Sequence, residues 1–264
     1  MAYEHIIYEV EGHTAVITLN RPERLNSISR QMMREINEAY RAAETDDEVW
    51  TILVTATGRA FCTGADVQDQ MLTASEERYL GKASDWDAPQ EITAPYLQMT
   101  KPFICAVNGI CCGAGLDMVT TSDIVIASED ATFFDPHVTI GIVSGREMVR
   151  LARVLPLNIT MRLALMGRHE RMSAQRAYEL GLVSELVPPD RLPERAREIA
   201  SIVNSNAPLA VRGTRLAIRK GLSLPVYEAE LLSESYRMRV AVTEDAKEGP
   251  RAFAEKRAPD WKVR

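Results

Sequence analysis

The chain has 264 residues, of which 46% are hydrophobic and 26% charged, and this composition fits one large folded domain or a domain with a C-terminal appendage. A formal net charge of −6 argues against nucleic acid as a partner, because such binding needs a surplus of positive charge. The first residues predict no signal or transit peptide, and the longest apolar run, Phe103–Val107, is far below the roughly twenty residues of a membrane span. We therefore expect a soluble protein with neither nucleic-acid nor membrane partners.

The N-terminal half alternates strand-like and helix-like patterns. Ser29 is typical of a helix N-cap, because apolar residues follow it at helical spacing. Strands separated by helical segments indicate a parallel sheet with helices packed over it. Residues 69–100 are polar and less regular, and we expect a helix and a mobile loop there. Runs rich in β-branched residues predict strands at 15–19, 50–55, Phe103–Val107 and 124–127.

From about Arg146 onward the pattern is helical, apart from a short predicted strand at 182–187. One helix begins at a Ser173 N-cap and ends at Gly181. An α/β core is therefore expected to precede a helical tail. Three further helices, each amphipathic and beginning near a proline, are predicted at 189–205, 208–220 and 225–242.

The four cysteines occupy positions 62, 105, 111 and 112 and form no C-x-x-C pair. The adjacent Cys111 and Cys112 are poorly placed to bridge each other. We interpret all four as small buried or loop-lining thiols in a reducing compartment, which favours a cytoplasmic location.

Two segments rich in small residues, 59–66 and 108–117, directly follow predicted strands. In a parallel sheet such segments emerge at the carboxyl ends of strands, where ligands bind. Small residues allow backbone to approach a ligand, and two N–H groups aimed at one oxygen form an oxyanion hole worth roughly 3 kcal/mol per donor. Taken alone, tight packing explains such turns as well. Neither phosphate-binding glycine motif is present in the sequence.

Nearly the whole chain resembles the crotonase (enoyl-CoA hydratase/isomerase) superfamily, with motifs in consistent order and spacing. The first group of motifs is Asn20-Arg-Pro-x-x-x-Asn26, Phe61-Cys-Thr-Gly-Ala-Asp66, Lys101-Pro-x-x-x-x-Val-Asn-Gly109, Gly113-Ala-Gly-Leu-Asp117 and Ser122-Asp-Ile124. The second group is Ala131-x-Phe133, Gly141-Ile142, the stretch from Gly167 to Val183, and Ala252-Phe-x-Glu-Lys-Arg257.

The resemblance implies a crotonase-like spiral of ββα turns over residues 1–200 and a helical C-terminal region over 201–264 that drives assembly into a homotrimer or a hexamer. It also implies that the backbone amides of Ala65 and Ala114 bind a thioester carbonyl. Position 114 is usually Gly in this superfamily. Ala keeps the main-chain donor, provided that its φ is negative.

The resemblance further implies that an acyl-CoA thioester is the substrate, so that coenzyme A is not a separate cofactor. The positions that match substrate and coenzyme contacts are Ala65, Asp66, Val67, Gln68, Gly113, Phe253 and Lys256, of which Lys256 matches a residue that reaches a phosphate. For Lys256, a solvated charge on the helix surface is an equal alternative.

Typical hydratases of the superfamily carry two catalytic Glu, and the aligned positions here hold Asp117 and His137. Asp is one methylene shorter than Glu, so its reach falls by about 1.5 Å. The alternative role of Asp117 is a capping or surface carboxylate, and that of His137 is structural. Imidazole exchanges protons near neutral pH without strong tuning of its pKa.

Neighbouring residues suggest lesser roles. Asp135 is a candidate to orient His137. Arg146 and Glu147 are near enough in sequence to enter the site, but we favour a helix-surface or interface pair for them. Ser144 and Tyr96 are candidate substrate contacts, and Tyr96 with Trp86 is expected to line the acyl pocket. We expect no metal, because no H-x-x-x-H or H-E-x-x-H spacing occurs.

The leading hypothesis is an acyl-CoA lyase that hydrates a 2-enoyl-CoA thioester. In this hypothesis, Ala65 and Ala114 stabilise enolate character while Asp117 and His137 exchange protons. Isomerisation, hydrolysis or decarboxylation of an acyl-CoA is a second possibility. Because both usual Glu residues are replaced, a catalytically silent acyl-CoA-binding protein is a third.

Overall fold

A computed structural model describes residues 3–66 and 99–264 of the chain. The helix and loop expected at 69–100, with Trp86 and Tyr96, lie outside the described residues, except for positions 99 and 100. In the described part, no helix is both long and apolar enough to cross a membrane.

Ten strands form two sheets in the described ranges. In chain order they are β1 (Ile6–Glu11), β2 (Thr14–Leu19), β3 (Thr51–Ala56), β4 (Ala60–Cys62), β5 (Phe103–Val107), β6 (Ile110–Cys112), β7 (Ile124–Ser128), β8 (Thr132–Phe134), β9 (Met172–Ser173) and β10 (Glu185–Val187). One sheet has the order β1-β2-β3-β5-β7-β10, and the other has the order β4-β6-β8-β9. Pairing is parallel except for β1 with β2 and β8 with β9.

From β3 to β8, consecutive strands alternate between the two sheets, since β3, β5 and β7 lie in the first and β4, β6 and β8 in the second. Each pair is therefore one turn of a spiral. The turn from β5 to β6 is very tight, because a Cβ on Gly109 would lie 2.2 Å from the carbonyl oxygen of Arg59. The predicted α/β class and crotonase-like spiral are confirmed.

Helices cover the sheets and make up most of the chain after β10. They are α1 (Arg30–Thr45), α2 (Ala114–Thr121), α3 (Arg146–Leu151), α4 (Leu157–Met166), α5 (Ala174–Glu179), α6 (Leu192–Asn204), α7 (Pro208–Gly221), α8 (Val226–Ala241) and α9 (Glu244–Glu255). The predicted caps are present, because the Ser29 and Ser173 side chains accept hydrogen bonds from the amides of Met32 and Arg176.

Both faces of the larger sheet are buried, which explains the continuous apolar runs in its strands. One face packs with α1 into the main core, where Tyr40 and Phe103 are fully buried and their rings meet edge to face. The opposite face packs against α6, with Leu53 and Ile104 against Leu192. The sheet is therefore a rigid platform from which the turns beyond the strands project.

The strand predictions were incomplete in two places. The edge strand β1 was missed, and the segments that form β4 and β6 were interpreted as parts of loops. Both β4 and β6 have only three residues, too few to show a periodic pattern. The strand predicted at 182–187 is shorter, because β10 begins at Glu185.

Candidate active site

The turn that follows β4 is fixed by pairing with the segment before α1. The Ile28 amide donates to the Gly64 carbonyl at 2.8 Å, and the Asp66 amide donates to the Ile28 carbonyl at 3.0 Å. The Asp66 carboxylate also forms an ion pair with Arg21 at 3.1 Å. Ala65 is thereby held between two anchored neighbours, and Ala65 itself is exposed.

Asn26 organises the turn that carries Arg21. It is fully buried, and its φ of 53° is in the left-handed region that Asn tolerates better than most residues. Its Nδ2 donates to the carbonyls of Thr57 and Ala60 at 2.9 and 2.8 Å, and its Oδ1 accepts from the Arg21 amide at 2.7 Å. This single side chain ties the Asn20–Asn26 motif to the start of β4.

The second turn follows β6 and lies directly against the first. Gly113 has a φ of 54°, and α2 begins at the next residue, Ala114. A Cβ on Gly64 would lie 3.6 Å from the Cα of Gly113 and 3.7 Å from the nitrogen of Ala114. A Cβ on Gly115 would lie 2.7 Å from the carbonyl oxygen of Cys62, so α2 packs almost in contact with β4.

The amides of Ala65 and Ala114 lie just beyond the ends of β4 and β6, which are neighbouring strands of one sheet. In residues 3–66 and 99–264, neither amide donates a backbone hydrogen bond. Ala114 is the first residue of α2 and has a negative φ, so the Ala that replaces the usual Gly is unstrained there. The dipole of α2 adds to the attraction of this turn for negative charge.

Asp117 lies in the first turn of α2, and its carboxylate is buried rather than a cap or a surface group. The Arg150 guanidinium donates to its Oδ1 at 2.7 Å, and Arg146 Nη2 lies 3.7 Å from its Oδ2. Burial raises the pKa of Asp117 to about 6, against the lowering effect of Arg150. A carboxylate with such a pKa can accept a proton near neutral pH.

His137 begins a 3₁₀ turn just beyond β8, and its ring lies beside the second glycine turn. A Cβ on Gly113 would lie 3.7 Å from His137 Cε1. The ring nitrogen Nδ1 lies 2.5 Å from Asp135 Oδ1 and 3.0 Å from Glu147 Oε1. The hydrogen bonds to Asp135 and Glu147 raise the pKa of His137 to about 10.

The suspected contact between Asp135 and His137 is therefore present. In a straight strand their side chains would run parallel, but the chain leaves β8 after Phe134 and turns, which brings the two together. Asp135 is fully buried and also accepts a hydrogen bond from the Ser144 hydroxyl. The structure thus gives Ser144, a candidate substrate contact, a partner within the protein.

The interpretation of Arg146 and Glu147 as a surface or interface pair is wrong for Glu147. Glu147 is buried and directed at His137, because it lies on the inner side of α3. The sequence did not favour this role, because the nine residues between His137 and Glu147 include a 3₁₀ turn and an irregular stretch, whose path a periodic pattern does not show.

Asp135, His137 and Glu147 are of types that also ligate metal ions, with donor atoms within 4.8 Å of one another. Here, however, Nδ1 of His137 is in hydrogen-bond contact with both carboxylates. A nitrogen that carries the shared hydrogen has no lone pair for an ion. We therefore interpret the cluster as an ion-paired hydrogen-bond network.

The remaining predicted contact residues lie apart from this cluster or outside the described ranges. Val67 and Gln68 fall outside the described residues. Phe253 is 86% exposed on α9, and Lys256 ends that helix in a left-handed conformation with φ 56°. The tail after α9 folds back so that Trp261 Nε1 donates to the Ser205 carbonyl, near the amino ends of β2 and β3.

All four cysteines are buried and unpaired, as expected. Burial raises the pKa of the Cys62 thiol to about 12, so it stays protonated at neutral pH. These thiols therefore pack rather than react.

Comparison with known proteins agrees with this architecture. A model of the family described as enoyl-CoA hydratase/isomerase matches residues 9–264. The chain belongs to this family.

Particular relatives cover the chain almost completely. The crystal structure of an enoyl-CoA hydratase/isomerase from Mycobacterium paratuberculosis shares 64% sequence identity and a TM-score of 0.92, with 100% of each chain covered. Enoyl-CoA hydratase EchA19 from Mycobacterium tuberculosis is 34% identical, over 98% of this chain and 96% of its own. (E)-Benzylidenesuccinyl-CoA hydratase from Thauera aromatica is 33% identical, over 97% and 98%.

Proposed function

We propose that this protein hydrates a 2-enoyl-CoA thioester, adding water across the C2–C3 double bond. The observation that carries the proposal is the contact between the turns Gly64–Ala65 and Gly113–Ala114. Asp117 lies in the first turn of α2, directly after the second of these turns, and the His137 ring lies beside Gly113. Family membership and relatives named as hydratases of different acyl-CoA thioesters support it.

The chemistry of such a site follows from its charges. Attack of water at C3 moves electrons into the thioester carbonyl, and the Ala65 and Ala114 amides would donate to the resulting oxyanion. Each such donor lowers the barrier by roughly 3 kcal/mol. Asp117 and His137 would exchange the two protons that hydration requires, one taken from water and one given to C2.

Binding of the coenzyme part is assigned to the first turn and to the C-terminal helix. Ala65, Asp66 and Gly113 offer backbone to the thioester arm, and Phe253 and Lys256 offer an apolar face and a cation. Val67 and Gln68, which follow Asp66 in the sequence, belong to the same proposed contact set. The coenzyme belongs to the substrate, so no separate cofactor is part of the proposal.

We further propose a cytoplasmic protein that assembles as a trimer or a dimer of trimers. Four buried unpaired thiols suit a reducing compartment. Helices α7 and α8 and the turn between them carry several large apolar side chains that are more than half exposed in one copy, and a neighbouring copy would cover them. They are Ile218, Leu222, Val226, Tyr227, Leu231 and Met238.

The test is turnover of a panel of 2-enoyl-CoA thioesters, from short unbranched to aromatic acyl groups, in water enriched in the heavy oxygen isotope. Hydration places solvent oxygen on carbon 3 of a product that is heavier by one water. Isomerisation adds no mass, and hydrolysis releases free coenzyme A. Tight binding of every thioester without turnover would overturn the proposal in favour of a silent binding protein.

A further inference from the structure

We propose that helix α3 assigns the two proton-transfer roles of the site, because its Glu147 holds His137 as the proton donor while its Arg150 holds Asp117 as the proton acceptor. Glu147 and Arg150 are then positioning residues that act through His137 and Asp117. The inference rests on the proposed hydration, and it adds which group gives a proton and which takes one.

The short helix α3 carries a partner for His137 and a partner for Asp117. Arg146 and Arg150 are four residues apart and share a face, which is directed at Asp117. Glu147 is one residue further round the helix, and it reaches His137 instead. The buried side chains of Met148 and Leu151 fix the helix on the core, so both contacts are held by one rigid element.

The surroundings of His137 favour its protonated form. Two carboxylates, from Asp135 beyond β8 and Glu147 on α3, lie in direct contact with the same ring nitrogen, Nδ1. Asp117 is a third negative group close enough to interact with the ring electrostatically. With the Nδ1 hydrogen engaged by the carboxylates, the hydrogen on Nε2 of the protonated ring is the one that remains for transfer.

The surroundings of Asp117 act in the opposite direction. Arg150 is only 20% exposed and donates to the Asp117 carboxylate directly, whereas Arg146 is a more exposed second cation. His137 also favours the ionised carboxylate, while burial and the neighbouring Glu147 oppose it. Removing Arg150 would raise the pKa of Asp117 further and so favour the protonated acid, which cannot accept a proton from water.

The resulting step balances in atoms and charge. An O–H bond of water breaks and its proton passes to the Asp117 carboxylate, while the water oxygen bonds to C3. The π electrons move through C2 to the thioester oxygen, giving an enolate. The enolate then takes the Nε2 proton of His137, forming the C2–H bond and a neutral imidazole. Transfer of the Asp117 proton to His137 through solvent restores the starting state.

The first experiment measures the protonation of His137 in the absence of substrate. Protein labelled with nitrogen-15 in histidine is titrated by NMR, and the His137 signals are assigned by their loss in His137→Gln. We expect a pKa well above the ordinary value in wild type, and a fall of at least about one unit, a factor of ten in proton affinity, in Glu147→Gln. Glu179→Gln, which removes an exposed carboxylate paired with Arg176, is the matched control.

The second experiment follows kcat/KM with pH in two variants. Glu147→Gln should lose activity at alkaline pH, where wild type stays active. Arg150→Met should lose activity at acidic pH, because Asp117 then keeps its proton to higher pH. In both variants kcat should fall at least about tenfold at the affected pH, with little change in KM. Arg162→Met, in an exposed pair with Glu170, is the control for the Arg substitution.

The outcomes separate this inference from the proposed function. A wild-type His137 that titrates near pH 6.5, or pH profiles that do not move in the variants, would overturn the inference while leaving hydration in place. If no thioester is hydrated, hydration is wrong, and the NMR titration still decides the protonation of His137. Should Glu147→Gln fail to fold, the wild-type titration and the Arg150→Met profile decide the question.

Discussion

Gly113 and Gly64 lie so close together that a Cβ added to Gly113 would be 3.2 Å from the Cα of Gly64. The same added atom would be 3.7 Å from His137 Cε1. The two turns therefore meet without room for a side chain between them. A methyl group inserted there would press on the Gly64 backbone and so shift the Ala65 amide relative to that of Ala114, and it would lie in van der Waals contact with the imidazole.

We expect Gly113→Ala to lower kcat/KM for an enoyl-CoA thioester by at least about tenfold, a cost of 1.4 kcal/mol in transition-state binding. The matched control is Gly181→Ala, because Gly181 also has a positive φ of 84° but nothing within 4 Å of its added Cβ. Both variants should lose stability from backbone strain, to be checked by thermal unfolding. Equal activity in both variants would show that the close contact has no catalytic role.

Much of the fold is visible in the sequence because some elements carry strong local signals. The strand at Phe103–Val107 is a continuous apolar run, and the N-cap residues Ser29 and Ser173 indicate where their helices begin. The short strands of the second sheet carry no such signal. Their three residues are held by tight turns such as that at Gly109, which are set by contact with the neighbouring chain.

The residues of the site also differ in how well the sequence predicts them. Asp117 and His137 were predicted from the resemblance to the family, because they stand at the positions aligned with its two catalytic Glu residues. Their partners were not, since Glu147 and Arg150 lie on another helix and reach the site only through the fold of residues 138–145. The protonation of each catalytic candidate depends on these distant partners. Spacing in the sequence therefore indicates candidate catalytic groups more readily than the proton-transfer role of each group.

The activity of the wild-type protein should depend on pH through these two groups. Asp117 must be ionised to accept a proton, so activity is lost as the pH falls through its pKa of about 6. His137 must be protonated to donate, so activity is lost as the pH rises through its pKa of about 10. We expect a broad plateau of kcat/KM between these limits. A maximum confined below pH 6 would contradict both assignments.

Replacing the Asp117 carboxylate by an amide should remove the proton acceptor while keeping its size. We expect Asp117→Asn to lower kcat by about 10²–10⁴, the range for loss of a general acid or base. Binding of a saturated acyl-CoA, measured by calorimetry, should change little, because in the proposed site the thioester is held by main-chain groups. Asp190→Asn is the control, since Asp190 is exposed. A variant that retained wild-type kcat would leave Asp117 without a catalytic role.

Lys101 contributes to the stability of the fold, because its contacts are with the end of α1. Its side chain is buried, and Nζ donates to the carbonyls of Ala43 and Asp46 at the end of α1 at 2.6 and 2.5 Å. The Ala43 carbonyl lies in the last turn of α1, where carbonyls lack partners within the helix, whereas the Asp46 carbonyl also accepts from the Val49 amide at 3.1 Å. Loss of Lys101 would therefore leave chiefly the Ala43 carbonyl without a donor. We expect Lys101→Met to lower the free energy of unfolding by about 1–3 kcal/mol in urea denaturation, with the coenzyme contacts unaffected.

The same lysine should give the stability a distinctive pH dependence. Burial lowers the pKa of Lys101 to about 8 from its usual 10.5, so between these values the unfolded chain binds more protons than the native one. The contribution of Lys101 to the free energy of unfolding must therefore rise with pH across that window. The difference between wild type and Lys101→Met should widen from pH 8 to pH 10. A difference that stayed constant or narrowed would mean that Lys101 keeps an ordinary pKa in the folded protein.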